Sequence, residues 1–150
     1  MSTSQADRAH VAAHSGRPGA LPEGARFGTV IGIQVYQHGT ESEAQAHVRA
    51  AIDRVVPGGL FCVRVNGVDT EIDYAHTVLT RSTGSGLTIR YDDGPKRDLL
   101  VHFASREELL ARARASFTLV AEPWEDVIRR DPPKTGSWAQ WEVVWRRNDR

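Results

Sequence analysis

Three histidines, His38, His76 and His102, stand where an imidazole could move a proton. Imidazole titrates near neutrality and is the side chain most often used as a general base. Asp73 and Tyr74 lie beside His76, so this part of the chain offers a carboxylate, a phenol and two imidazoles, counting His102. Each ring has an alternative use, which is to bond the polar turn or sheet face that carries it. A metal site built from Asp73, His76 and His102 lacks the close His/Cys/carboxylate spacing of a metal motif, and no metal is expected. A second polar group, Asn66, Asp69, Thr70 and Asp73, follows an apolar run as a loop, a common place for substrate contacts. Arg129, Arg130 and Lys134 precede Thr135-Gly136-Ser137-Trp138, cations with an aromatic that suit an acidic or aromatic ligand. Solvated charge beside a core tryptophan is the alternative there.

The elements that position these groups centre on Arg26 to Asn66. The apolar run Phe27 to Val35 has the length of a buried strand, and Gln34, Tyr36, Gln37 and His38 bring polar groups to its carboxyl end. Open α/β sheets bind ligands at that end. From Thr40 the period changes, with Ala44, His47, Val48, Ala51, Ile52 and Val55 at three- and four-residue spacing, one face of a helix of about four turns. Thr40 or Ser42 is the expected N-cap, Glu41 and Glu43 favour the first turn, and Pro57-Gly58-Gly59 is expected to stop the helix. Leu60 to Val65 is the next strand, and two strands joined this way lie parallel with a right-handed crossover.

Further along, Tyr74 to Arg81, Leu87 to Tyr91 and Leu99 to Phe103 read as antiparallel strands broken at Gly84 to Gly86 and at Asp92 to Lys96. Ser105, followed three residues later by Glu108, has the capping-box pattern and opens a helix to about Arg114, with Leu109 and Leu110 facing inward. Phe117 to Ala121 reads as a strand, Trp124 to Arg130 as a polar connection and Trp138 to Arg146 as the last strand. Trp141 and Trp145 share one face of it and pack the sheet. Residues 1–20 form a polar tail with a short helix at Ala6 to Ala13, and residues 21–150 form the domain.

With 150 residues, 40% hydrophobic and 25% charged, the chain suits one ordinary domain. Nineteen basic residues balance nineteen acidic ones, so no field draws it to nucleic acid or a membrane surface. The lone Cys62 cannot form an internal disulfide and is expected as a buried, inert thiol in a reducing cytoplasm. No apolar run approaches the ~20 residues that span a bilayer.

The ordered series FGTVIG, QVYQHGT, helix and VVPGGLFCVRVN, followed by Tyr91-Asp92-Asp93-Gly94-Pro95-Lys96, Leu100-Val101-His102-Phe103 and Pro133-Lys134-Thr135-Gly136-Ser137-Trp138-Ala139-Gln140-Trp141-Glu142, resembles the second half of class I S-adenosylmethionine-dependent methyltransferases. The likeness is to a bacterial, type 11-like branch and spans roughly Leu21 to Arg147. The family's Gly-rich cofactor turn and the acidic strand end that follows it have no counterpart. Gly16-Arg17-Pro18-Gly19 has no apolar strand before it and holds a proline. The resemblance implies an α/β fold: the last four strands of a truncated, Rossmann-like sheet, with an antiparallel β-hairpin insertion at about residues 74–103 as substrate cover. It implies a transferase that moves a methyl group from S-adenosylmethionine to an oxygen or nitrogen of a small molecule. Cofactor contacts fall on Gly32, Ile33 and Gln34, the base on His38, His76 or His102, and acceptor contacts on Asn66, Asp73, Tyr74, Lys134 and Trp138. With half the cofactor site missing, the chain is expected to be weak or inactive alone, or to be a non-catalytic module or complementing subunit. A gene start that has lost the upstream strands is a third reading. The strand edge at Thr29 to Ile33 is left open for a second copy or a complementing chain.

Overall fold

The computed structural model describes residues 22–82, 84, 86–113 and 115–149. The tail expected over 1–20, with its short helix, lies outside them. The first strand, β1, runs Phe27–Ile33, two residues shorter than its apolar run, because Gln34 turns into the left-handed region at φ 58°. Helix α1 spans Glu41–Ile52, and Thr40 and Glu43 cap it reciprocally. Its buried residues are Ala44 and Val48; His47 faces solvent.

The Pro-Gly-Gly stop is a correction. Helix α1 ends at Ile52, where the N–H of Asp53 bonds back to Arg49, and strand β2 already begins at Val55 and runs to Asn66. Val55 is fully buried opposite Phe27, so burial pulls it into the sheet rather than onto the helix. Pro57 to Gly59 therefore form an irregularity inside the strand, where the β1 register shifts between Phe27 and Thr29. Gly58 takes φ +73°, and a Cβ on Gly59 would stand 2.8 Å from the Gly28 carbonyl oxygen. Gly58 is needed for its left-handed backbone and Gly59 for the close approach of the strands.

The remaining strands are β3 (His76–Ser82), β4 (Gly86–Tyr91), β5 (Leu100–Phe103), β6 (Phe117–Leu119), β7 (Trp124–Arg129) and β8 (Ser137–Arg147), with helix α2 at Arg106–Ala113 before β6. The main sheet has the order β1-β2-β8-β6, with β7 also on β8; β1 and β2 are parallel and β8 antiparallel to its neighbours. Among the described residues it therefore has five strands, since Trp124 to Arg129 pairs along Glu142 to Ser137 instead of forming a connection. The insertion is likewise larger than a hairpin: β3, β4 and β5 form a separate antiparallel sheet.

Both helices pack on one face of the main sheet. Val48 of α1 and Leu109 of α2 join Phe61, Val63, Val65, Trp141, Val143 and Trp145 in one buried cluster. Phe61 stacks on Trp145 at 5.6 Å and touches Tyr36 and Phe117 at 5.8 and 6.5 Å. A second cluster, Leu87, Ile89, Tyr91, Val101 and Phe103, packs one face of the insertion against Val68, Ile72 and Tyr74. Truncating Phe61, which has no exposed surface, removes the ring on which four segments meet. Phe61→Ala is expected to cost about 3–5 kcal/mol in urea unfolding.

Candidate functional site

The carboxyl ends of β1 and β2 and the start of β8 meet at one edge of the main sheet, and the insertion is hung there. Its strand β5 threads between the two loops: the His102 N–H donates to the Gln37 carbonyl, Ala104 to Asn66, and Gly39 to Leu100, at 2.7, 2.8 and 2.9 Å. These backbone bonds satisfy loop groups that would otherwise be buried unpaired.

A polar crown forms at this edge. Gln37 accepts from the Asn66 N–H at 2.9 Å and donates to the Gln34 side chain at 2.5 Å; the Trp138 indole donates to the Asn66 side chain at 2.9 Å. Gln34, Asn66 and Trp138 are thus brought together, with Gln37 as the link. Gln140, opposite Asn66 in the β2–β8 register and almost fully buried, lies beside them. The side-chain amide N–H groups of Gln34 and Gln140 are buried without a protein acceptor. Unpaired buried donors are costly, and a ligand oxygen or ring nitrogen would satisfy them. Gln37 and Gln140 were not singled out as site residues; polar residues inside an apolar strand pattern or just past its end were the available signal.

The other expected residues are dispersed. Gly32 is buried under the Tyr36 ring, which fills the space a Cβ would need, and burial raises the Tyr36 pKa. Ile33 points away from the core, 61% exposed. His38 is exposed on the same loop, its Nε2 3.2 Å from the Gln34 carbonyl oxygen. His76 has its Nδ1 2.8 Å from the Tyr74 carbonyl oxygen. Tyr74 packs edge-on to Tyr91 and over Gly94, Asp73 faces Arg130 at 3.8 Å, and Lys134 is exposed in the turn before β8. Asp69 of the loop after β2 lies beside Glu125 of β7, where burial, then the neighbouring Asp69, pushes the Glu125 pKa up.

His102 faces inward instead of toward the crown. It is 2% exposed, its Nδ1 is 2.8 Å from the Thr88 hydroxyl, and its Nε2 is 2.8 and 2.9 Å from the Glu108 carboxylate, which also pairs with Arg112. In the neutral ring, Nε2–H donates to Glu108 and Nδ1 accepts from Thr88. Burial, then the Arg112 charge, lowers the His102 pKa to about 4, and burial lowers that of Arg112 to about 10. Glu108 spends its side chain here, so the capping box at α2 is half made: Ser105 accepts from the Glu108 N–H without reciprocation.

No protein-family model and no curated protein matches the sequence. Solved structures do match in fold. Burkholderia thailandensis 1,6-didemethyltoxoflavin-N1-methyltransferase, solved with its didemethyltoxoflavin and S-adenosylhomocysteine, is 21% identical over 87% of this chain and 48% of its own, with a TM-score of 0.53. The glycopeptide N-methyltransferase MtfA with S-adenosylhomocysteine is 14% identical over 89% of this chain and 60% of its own, TM-score 0.51. The PH0226 protein of Pyrococcus horikoshii is 13% identical over 81% and 52%, TM-score 0.50. The described chain thus has a Rossmann-like methyltransferase fold and spans about half to three-fifths of these structures. No described helix is long and apolar enough to cross a membrane.

The buried histidine gives a pH signature. Its pKa is about 4 in the folded chain against an ordinary 6.5, so the unfolded chain takes up the extra proton between those values. The contribution is complete above about pH 6.5 and is lost toward pH 4, by up to about 3 kcal/mol. Thermal melts across this range are expected to show the decline, and His102→Gln to flatten it.

Proposed function

We propose that the chain is the acceptor-side portion of an S-adenosylmethionine-dependent methyltransferase acting on an oxygen or nitrogen of a small molecule in the cytoplasm. The observation that carries this reading is the crown of Gln34, Gln37, Asn66, Trp138 and Gln140 at the carboxyl edge of a methyltransferase-like sheet. In open α/β sheets that edge is where ligands bind. The bound cofactor would supply an electrophilic methyl group. Gly32, Ile33 and Gln34 offer it one wall, a partial fit, because Tyr36 fills the space before Gly32 and, among the described residues, the far side of β1 is open.

On this reading the free amide donors of Gln34 and Gln140 orient the acceptor through its lone pairs. Trp138 supplies a half-buried aromatic surface beside them, and the insertion covers the edge against water. His38, exposed on the adjoining loop, takes the acceptor's proton as the new bond to carbon forms. His76 stands on the insertion, away from the crown, and His102 is committed to Glu108 and Thr88, so neither is as well suited as a base. Asp73, Tyr74 and Lys134 act on the acceptor only through the loops that carry them.

A second reading, a non-catalytic binding module or a complementing subunit of a split enzyme, is favoured by the single cofactor wall. Calorimetric titration with S-adenosylhomocysteine separates the two. Micromolar binding, about −8 kcal/mol, is expected if the chain holds cofactor through the first reading, and Gln34→Ala weakens it. A folded sample that takes up no heat sinks cofactor binding by the chain alone and leaves the subunit reading.

A further inference from the structure

Between the first turns of α1 and strands β3 and β4 of the insertion lies a cleft of about 340 Å³, at the lower end of the roughly 300–1,000 Å³ that small-molecule sites occupy. It takes Glu41, Ser42 and Gln45 from the helix and Leu79, Thr80 and Thr88 from the strands, and no crown residue lines it. A bulge shapes the strand wall. Val78 pairs with Ile89 and Thr80 with Thr88, which leaves Leu79 as an extra residue in β3. Successive residues of a regular strand point to opposite faces, yet Leu79 and Thr80 both line the cleft.

The hydrogen-bond polarity of the cleft follows from its buried floor. Thr80, Thr88 and His102 stand in one cross-strand row, and Thr88 is 1% exposed. Glu108, ionised beside Arg112, can only accept, so the His102 Nε2 that faces it at 2.8 Å carries the hydrogen. Nδ1 then accepts, and the Thr88 hydroxyl spends its one hydrogen on it at 2.8 Å. Thr88 therefore meets the cleft as an acceptor only. The helix wall has the same character: Gln45 Nε2 donates to Glu41 Oε1 at 3.0 Å, leaving Glu41 Oε2 and Gln45 Oε1 as acceptors without a partner among the described residues. Ser42 and Thr80 add hydroxyls that turn either way.

This inventory selects a ligand. The Glu41 carboxylate turns away anions, and acceptors on facing walls call for donors at both ends of the occupant, which a single ammonium group lacks. A ring that carries hydroxyls around its rim supplies them, and its C–H faces suit the Leu79 side chain and the threonine methyls. We infer that the cleft binds a small uncharged polyol, of the cyclitol or monosaccharide kind, held by Thr88 on one side and by Glu41 and Gln45 on the other. His102, Glu108 and Arg112 are positioning residues, since they fix the direction of the Thr88 hydroxyl. The cleft needs no methyl-transfer activity for this, and its occupancy is read without S-adenosylmethionine.

The full chain, isotope-labelled for amide NMR, is titrated with myo-inositol and with methyl glucoside, each alone, and with inorganic phosphate and n-butylammonium as charged counterparts. Expected are saturable shifts with at least one polyol at millimolar concentration, centred on the amides of Glu41 to Gln45, Leu79, Thr80 and Thr88, and none there from the charged probes. Thr88→Val removes the acceptor at nearly constant volume and weakens binding roughly tenfold or more, while Thr88→Ser retains it. Leu79 is 43% exposed, so Leu79→Trp fills the cleft without disturbing the core and abolishes the response even where Thr88→Val unfolds the chain. No saturable shift from either polyol overturns the inference. So do a stronger response to phosphate or butylammonium, shifts centred on Gln34, Gln37 and Asn66 instead, or full binding by folded Thr88→Val or by Leu79→Trp.

Discussion

The structure depends on the burial of Phe61 against Trp145, Tyr36 and Phe117. That one ring sits on β2, stacks on β8, meets the start of β6 and holds the loop that leaves β1. The helices add Val48 and Leu109 to the same cluster. Among the described residues both helices pack this side, so the apolar core of the main sheet is one-sided. Apolar burial on the packed side fixes the register of β1, β2, β6 and β8, and each position's partner on the other side follows from the period of two.

That constraint explains which parts of the fold were legible. The change of period at Thr40, the N-cap offered there with Glu41 and Glu43 in the first turn, and the apolar run at Leu60 announce a parallel crossover, because each is set by local physics that tertiary packing did not override. Pro57 to Gly59 read as a stop, since the same residues end helices and make bulges; only the burial of Val55 opposite Phe27 decides between them. Strand β7 was hidden for another reason. It is an outer strand with Trp124, Val127 and Ile128 largely exposed, so its residues show no alternation between an inside and an outside.

The site was legible by region more than by residue. A polar segment after β1 and a loop after β2 point to the carboxyl edge, and Gln34, Asn66 and Trp138 do converge there through Gln37. The histidines were less transparent. His102 alternates with Val101 and Phe103 along β5, and sequence reveals that alternation without revealing that α2 covers the polar side. Glu108 carried two signals, a cap partner for Ser105 and a counter-group for His102, and the buried ring won it because an unpaired buried imidazole costs more than an unreciprocated cap.

The way β5 is held has a mechanical consequence. Its backbone is stitched to the loops after β1 and β2, and its His102 is clamped to Glu108 of α2. Among the described residues the outer strand β3 pairs with β4 alone, and it leaves Val78 and Leu79 nearly half exposed. The insertion is therefore a cantilever, fixed along its inner strand and free along its outer one.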